Sequence, residues 1–214
     1  MTLDARLRGH DDELYTRSQA RCLEQPKAGE GLAPMLEQFA ARAIEVGVRV
    51  HGPVIRVEAA AKVAELCRSA GAHRVLLSPD LQELREPVAE AVTGVGARLI
   101  EGTTPREAAA ADLGVSRAAL AVAETGSVVV AGNELLPRLA TMLPLVHVVL
   151  VYRQDMVSSL EEVGEFLRGS ILGDRGEAVR YHSLVTGPSR TADIEKTLST
   201  GVHGPRELHI VLVE

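Results

Sequence analysis

The apolar run Leu145-Val146-His147-Val148-Val149-Leu150-Val151-Tyr152 constrains the fold of this chain more than any other stretch. It has no alternation of apolar and polar residues, so it offers no face to water. A run this short and this rich in β-branched residues suits a strand buried on both faces, in a sheet covered on both sides. It is too short to span a bilayer, and Pro144 and His147 break its apolar character. His147 reads as a hydrogen-bonded core histidine rather than a metal ligand.

The rest of the sequence supplies the covering layers. Leu32, Met35, Leu36, Phe39, Ala43 and Val46 recur at helical spacing, and Gly47 is placed to end that helix. Strand patterns at 48–51, 74–77 and 97–100 then alternate with helix patterns at 58–70, 81–92 and 105–113. Such alternation over short connections predicts an α/β fold, a mostly parallel sheet flanked by helices. The second half is richer in strands, expected at 119–123, 128–131, 145–152, 179–185 and 208–213, with helices at 158–168 and 189–198. This organisation occupies residues 32–214. Residues 1–31 are polar and charged and end in a Pro/Gly-containing stretch, so they are expected to form a flexible N-terminal arm.

Composition removes several classes of function. Hydrophobic residues make up 46% of the chain but aromatics only 2%, so the core is aliphatic and few rings remain for stacking on bases. The net charge is −6 and no Lys/Arg run stands out, which argues against nucleic acid as a partner. With no apolar leader and no membrane span, a cytoplasmic location is expected. The two cysteines, Cys22 and Cys67, cannot supply the four thiolates of an iron–sulfur cluster, so no cofactor or metal of the chain's own is expected.

Three segments carry residue types suited to chemistry. Thr186-Gly187-Pro188-Ser189-Arg190-Thr191-Ala192-Asp193-Ile194-Glu195 follows a strand and, by its capping residues, opens a helix. Its free amides, the Ser189 and Thr191 hydroxyls and the Arg190 guanidinium could seat a carboxylate or phosphate, though spacing alone favours the plainer reading, a well-capped helix with a turn before it. Asp193 suits the helix start but opposes a highly charged ligand. Gly201-Val202-His203-Gly204-Pro205 precedes the last strand, and its glycines can turn His203 toward a cleft or simply form a loop. Glu124-Thr125-Gly126-Ser127 reads as a turn, with Glu124 a possible base and the Gly126 and Ser127 amides donors. Arg138 stands near an apolar region and could pair with Glu124 or a bound acid. Ser189, His203 and Asp193 supply the types of a catalytic triad, but Ser189 lacks a GxSxG elbow and Asp193 follows it too closely. If the last strand runs parallel to the strand before Gly187, His203 falls at the opposite end of the sheet from Ser189; if it runs the other way, the two loops can meet.

Taken together, Ala123-Glu124-Thr125-Gly126-Ser127, Pro144-Leu145-Val146-His147, Ser158-Ser159-Leu160-Glu161, the 186–195 segment and Gly201-Val202-His203-Gly204-Pro205 resemble the LUD domain of the lactate-utilisation protein C (LutC/YkgG) family. The resemblance runs over about residues 35–214 and is densest after Gly114. It implies a fold similar to the NagB/RpiA/CoA-transferase superfamily. It also implies service in oxidising L-lactate to pyruvate alongside iron–sulfur subunits, this chain being the component without a cluster. A small anionic metabolite is the expected ligand, with Glu124 and His203 as acid–base candidates and Thr125, Gly126, Ser127, Arg138, Gly187, Ser189, Arg190, Thr191, Asp193 and Gly204 as ligand-binding candidates. The alternative is a free-standing enzyme acting on a phosphorylated or carboxylated metabolite, as the fold's relatives do.

Overall fold

A computed structural model of the chain describes residues 32–102, 104–171, 179, 181–191, 199–201 and 203–214. The expected arm at 1–31 lies outside them. The elements of the first half are α1 (Leu32–Glu45), β1 (Arg49–Val54), α2 (Arg56–Ser69), β2 (Arg74–Leu77), a 3-10 segment (Pro79–Leu84), α3 (Arg85–Gly94), β3 (Arg98–Ile100), α4 (Pro105–Ala108) and β4 (Leu113–Arg117). The second half continues with β5 (Leu120–Val122), β6 (Ser127–Gly132), α5 (Leu135–Met142), β7 (Val146–Tyr152), a short 3-10 turn (Arg153–Asp155), β8 (Met156–Val157), α6 (Leu160–Ile171), β9 (Tyr181–Val185), β10 (Arg190–Thr191), β11 (Ser199–Thr200) and β12 (Glu207–Val213).

The main sheet has the order β1-β12-β7-β4-β2-β3, and every pairing in it is parallel. At its centre β7 and β12 pair in register from Val146↔Glu207 to Tyr152↔Val213. Their side chains alternate between two cores, as the period of a strand requires. Val148, Leu150, Tyr152, Val211 and Val213 face α2 and α3, with Ala59, Val63, Cys67, Val88 and Val92. Val149, Val151, Leu208, Ile210 and Leu212 face the other way, onto Phe39 and Ala43 of α1 and onto Ala121, Ala123, Val128 and Met156. A second sheet, β8-β5-β6-β9, thus lies against the main one, and α6 covers its outer face through Val163 and Phe166. The α/β class with a mostly parallel, helix-flanked sheet is therefore the architecture. Among the described residues no helix is long and apolar enough to cross a membrane.

Two expectations need correction here. The helix expected over 105–113 ends at Ala108, where Thr104 caps its start by accepting the Glu107 amide. Leu113–Arg117 is instead a strand, paired on one side to β2 and on the other to β7, because Leu113 and Val115 fill the core beneath α2 and α3. The helix expected over 189–198 is contradicted at its start. Arg190–Thr191 is extended and pairs antiparallel with Ser199–Thr200, while 192–198, with Asp193, lie outside the described residues. The physical reason is that Ser189 spends its backbone groups on distant partners: its N–H goes to Pro205 O and its carbonyl accepts from the Gly201 amide. Helix α5 was not expected at all. Its Pro137 sits in the first turn, where a missing N–H costs no helical hydrogen bond.

Two features of this packing can be measured. A Cβ on Gly114 would stand 2.0 Å from the Ala140 carbonyl oxygen in α5, whereas one on Gly94 meets nothing within 4 Å. Gly114→Ala should therefore cost about 3 kcal/mol in urea unfolding, and Gly94→Ala should be neutral or stabilising by up to about 1 kcal/mol; equal values would contradict the fit of α5 on β4. His147 is fully buried, bonded through Nε2 to Ser116 Oγ at 2.8 Å, and burial pushes it down to about 3. Its folded pKa lies below the unfolded 6.5, so its contribution is whole above pH 6.5 and is lost as pH falls toward 3. The stability advantage of the wild type over His147→Asn should thus shrink by about 2 kcal/mol between neutral pH and pH 5; a constant difference would contradict a neutral, buried imidazole.

Candidate functional site

The loops singled out in the sequence converge at the amino ends of β1, β12 and β7, beside the end of α1. Two close approaches make this possible. Gly126 has φ +66, and a Cβ there would lie 2.2 Å from the Ala43 amide nitrogen, so the turn between β5 and β6 presses directly on the backbone of α1. Gly187 has φ +90, and a Cβ there would lie 2.8 Å from the Val46 carbonyl oxygen, so the 186–190 loop presses on the chain just past the end of the same helix. The β6–β9 register sets Val128 opposite Val185, which brings Ser127 beside Thr186. The Thr125 hydroxyl bonds Ser127 Oγ at 2.8 Å, and Ser127 Oγ meets Thr186 Oγ1 at 2.6 Å.

Ser189 knits this group to the last loop. Its Oγ accepts the His203 amide at 3.2 Å, and Gly204 lies against its Cβ. The strand before Gly187 belongs to the second sheet, so neither of the topologies weighed from the sequence describes the junction, and the two loops meet. His203 contributes its main-chain amide to the contact. The Arg190 guanidinium lies over Gly47: a Cβ there would come within 2.1 Å of Nη2. The junction therefore gathers Thr125, Gly126, Ser127, Gly187, Ser189, Arg190, His203 and Gly204, with Thr191 continuing into the β10–β11 ribbon.

Two candidates stand apart. The Glu124 carboxylate is turned to α6, where Oε2 accepts the Leu160 amide at 3.0 Å at the positive end of that helix. Arg138 stacks on the Tyr181 ring at 4.4 Å to the centroid. Tyr181 pairs with Gly132, five residues along β6 from Ser127, which by strand rise is about 17 Å away. Arg138 therefore pairs neither with Glu124 nor with the junction.

A second polar cluster, absent from the sequence reading, lies at the opposite end of the main sheet, over the carboxyl ends of β2, β4 and β7. Arg117 ends β4 almost wholly buried. Its Nη2 meets Asp155 Oδ2 at 2.8 Å, its Nη1 donates to Gln82 Oε1 at 2.5 Å, and its guanidinium stacks 4.4 Å over the Tyr152 ring. The Arg117 amide donates to Asp80 Oδ1 at 3.3 Å. Burial pushes Asp80 up to about 7, against smaller opposing effects of Ser78 and Arg117. Asp155 is also raised by burial, opposed by Arg117, and Tyr152 is pushed up to about 12 by burial and by Glu83. Ser78 stands beside Asp80, and its hydroxyl opposes the rise in Asp80 through a hydrogen bond. These residues escaped notice because each is a lone polar residue after a short apolar strand. The readable signal was the recurrence of Ser, Asp and Arg just past strand ends.

His51 and His209, unremarkable in spacing, stack across β1 and β12 with Nε2 and Nδ1 3.0 Å apart, and Glu207 reaches His209 Nε2 at 3.3 Å. Burial, with the neighbouring imidazole, lowers His51, and burial lowers His209 against the pull of Glu207. Among the described residues no group of three or more His, Cys, Asp or Glu side chains is arranged to hold a metal.

Comparison with known proteins follows the same outline. Lactate utilization protein C of Bacillus subtilis (strain 168) is 30% identical over 109 residues, 50% of this chain and 45% of that protein. Lactate utilization protein C 1 of Bacillus mycoides (strain KBAB4) is 33% identical over 108 residues, again 50% and 45%. The matched stretch thus spans about half the length of these curated relatives. The crystal structure of a DUF162 family protein from Deinococcus radiodurans superposes with a TM-score of 0.61 at 22% identity, covering 87% of this chain and 100% of that one, which establishes likeness of fold. The family model of the LUD domain matches residues 36–213, nearly everything from α1 to the end of β12. The chain therefore belongs to the LUD domain family.

Proposed function

We propose that this chain is the component without an iron–sulfur cluster in an L-lactate-utilisation system, and that it binds a small anionic metabolite where the 186–190 and 201–205 loops join. The observation that carries the reading is the Ser189 contact. Ser189 Oγ accepts the His203 amide and, among the described residues, its own hydroxyl proton has no acceptor, which suits it to donate to an anion. The Arg190 guanidinium comes from the adjacent residue, and Gly187, Gly201 and Gly204 keep side chains out of the way. Donors of this kind, charged and neutral together, suit a carboxylate or phosphate. The role is supported by the names of the curated relatives, lactate utilization protein C in several bacilli.

In this reading the electrons leaving lactate pass to partner subunits that carry iron–sulfur clusters, because two cysteines far apart in sequence cannot hold one. The chain positions the acid or the partners. Glu124 serves α6 in the structure, so the alternative of acid–base catalysis by Glu124 and His203 gains no support from its bonding.

Deleting the gene should abolish growth on L-lactate and spare growth on pyruvate, with recovery on complementation; normal growth on L-lactate would overturn the role. For the seat itself, Ser189→Ala should weaken binding of inorganic phosphate or L-lactate by about tenfold in calorimetric titration, the value of one hydrogen bond to a charged group. Affinity equal to wild type in both Ser189→Ala and Arg190→Ala would remove the seat while leaving the role standing.

A further inference from the structure

Beside the Ser189 junction, Arg49, His51, Glu207 and His209 line one face of β1 and β12, and their bonding fixes where the protons sit. Glu207 opens β12 directly after the 201–206 loop. Arg49 opens β1 just past Gly47, the glycine that Arg190 covers. Alternate residues of a strand share a face, so these side chains stand on the side where Val211 and Val213 pack under α2. The Arg49 guanidinium donates to the Glu207 carboxylate, which meets His209 Nε2 at 3.3 Å, and His209 Nδ1 meets His51 Nε2 at 3.0 Å. From α2, Lys62 and Glu65 flank His51.

A carboxylate accepts and never donates, so the His209 ring proton lies on Nε2 and its Nδ1 is an acceptor. His51 then carries its own proton on Nε2 and donates to that Nδ1. With this arrangement every contact in the series is met while both rings are neutral. A first added proton goes to His51 Nδ1 and leaves the contact between the rings in place. A second puts a proton on both facing nitrogens, and a contact of 3.0 Å cannot survive it. The surrounding ions give no relief. Arg49 and Lys62 offset Glu207 and Glu65, so each proton taken up adds a full positive charge to this face. β1 is the outermost strand on its side of the main sheet and pairs there with β12. It is therefore the strand that can part from the rest when the contact fails.

We infer that His51 and His209 form a proton-sensitive clasp on the junction: neutral, they hold β1 to β12; with both rings protonated, the amino half of β1 parts from β12, draws Gly47 from beneath Arg190 and slackens the anion seat. The last step rests on the reading of the junction proposed above; the clasp itself does not. Burial is the largest cause lowering both rings below the ordinary 6.5, so the closed pair resists protons that the open pair accepts. The clasp is whole above pH 6.5 and is lost as pH falls below that value.

Amide hydrogen exchange of the full chain, followed by NMR between pH 7 and pH 5, tests this. The Val50 and His51 amides should open far more often than Val149 and Leu150 of β7, which report global unfolding. After correction for intrinsic exchange, their opening constant should rise by more than about tenfold over that range. The double variant His51→Gln/His209→Gln keeps polar amides in place of the rings without a titrating proton and should abolish the rise; His182→Gln should leave it untouched. Where the double variant fails to fold, nitrogen NMR of the wild-type rings decides: both protonated on Nε2 at pH 7 supports the clasp, and any other pair of tautomers contradicts it. L-Lactate should bind about tenfold more weakly at pH 5 than at pH 7 in the wild type and equally at both in the double variant. No L-lactate binding at either pH would sink the anion reading, with the exchange readout still deciding the clasp. A rise that the double variant keeps, β1 opening only together with β7, or L-lactate affinity unaltered while β1 opens would overturn the inference.

Discussion

Everything else in this fold is arranged around the pairing of β7 with β12. The two strands run parallel and in register over their whole length, and both faces of the pair are sealed. Past their first residues, Val146 and Glu207, both strands are buried throughout, so polar chemistry gathers at the strand ends. Parallel pairing then sorts those ends. All amino ends gather on one side, with α1 and the 201–206 loop, and all carboxyl ends on the other, with Asp80, Arg117 and Asp155. The apolar run that dominates the sequence thereby dictates that the molecule has two separate places for polar chemistry.

Close packing of backbone on backbone gives the amino-end junction its shape. Gly126 against Ala43 and Gly187 against Val46 bring two loops onto α1 with no side chain between them, and the Ser127–Thr186 and Ser189–His203 bonds tie those loops to each other. The carboxyl-end cluster is built on the opposite principle. It places charged groups in a region of low polarity, where burial raises Asp80, Asp155 and Tyr152 together and each ion is held by a partner of opposite sign or by a ring. Such clusters are costly to bury unless their geometry is complete.

The legibility of these features in the sequence follows from their physics. Strands β7 and β12 announce themselves because burial on both faces leaves an unbroken apolar run. Strand β4 does not, since Leu113-Gly114-Val115-Ser116-Arg117 mixes a glycine made necessary by α5 with two polar residues that are nevertheless buried. Helix α5 was hidden by Pro137, and the stretch after Ser189 by capping residues that proved to serve a ribbon at Arg190–Thr191. The residue types of the junction were readable one loop at a time. Their partners were not, because the Ser189–Pro205 and Ser127–Thr186 contacts join segments that local patterns leave independent. The same limit separated Glu124 and Arg138 from the junction, each drawn off by a neighbour no spacing rule could supply: the first turn of α6 and the ring of Tyr181.

The account rests on the claim that the Ser189 junction receives a small anion. Two-dimensional amide NMR of the full chain, titrated with L-lactate, examines that claim most directly. Saturable shifts concentrated at Gly187, Ser189, Arg190, Gly201, His203 and Gly204 are predicted. Shifts confined to other parts of the molecule, or none at saturating L-lactate, would contradict it.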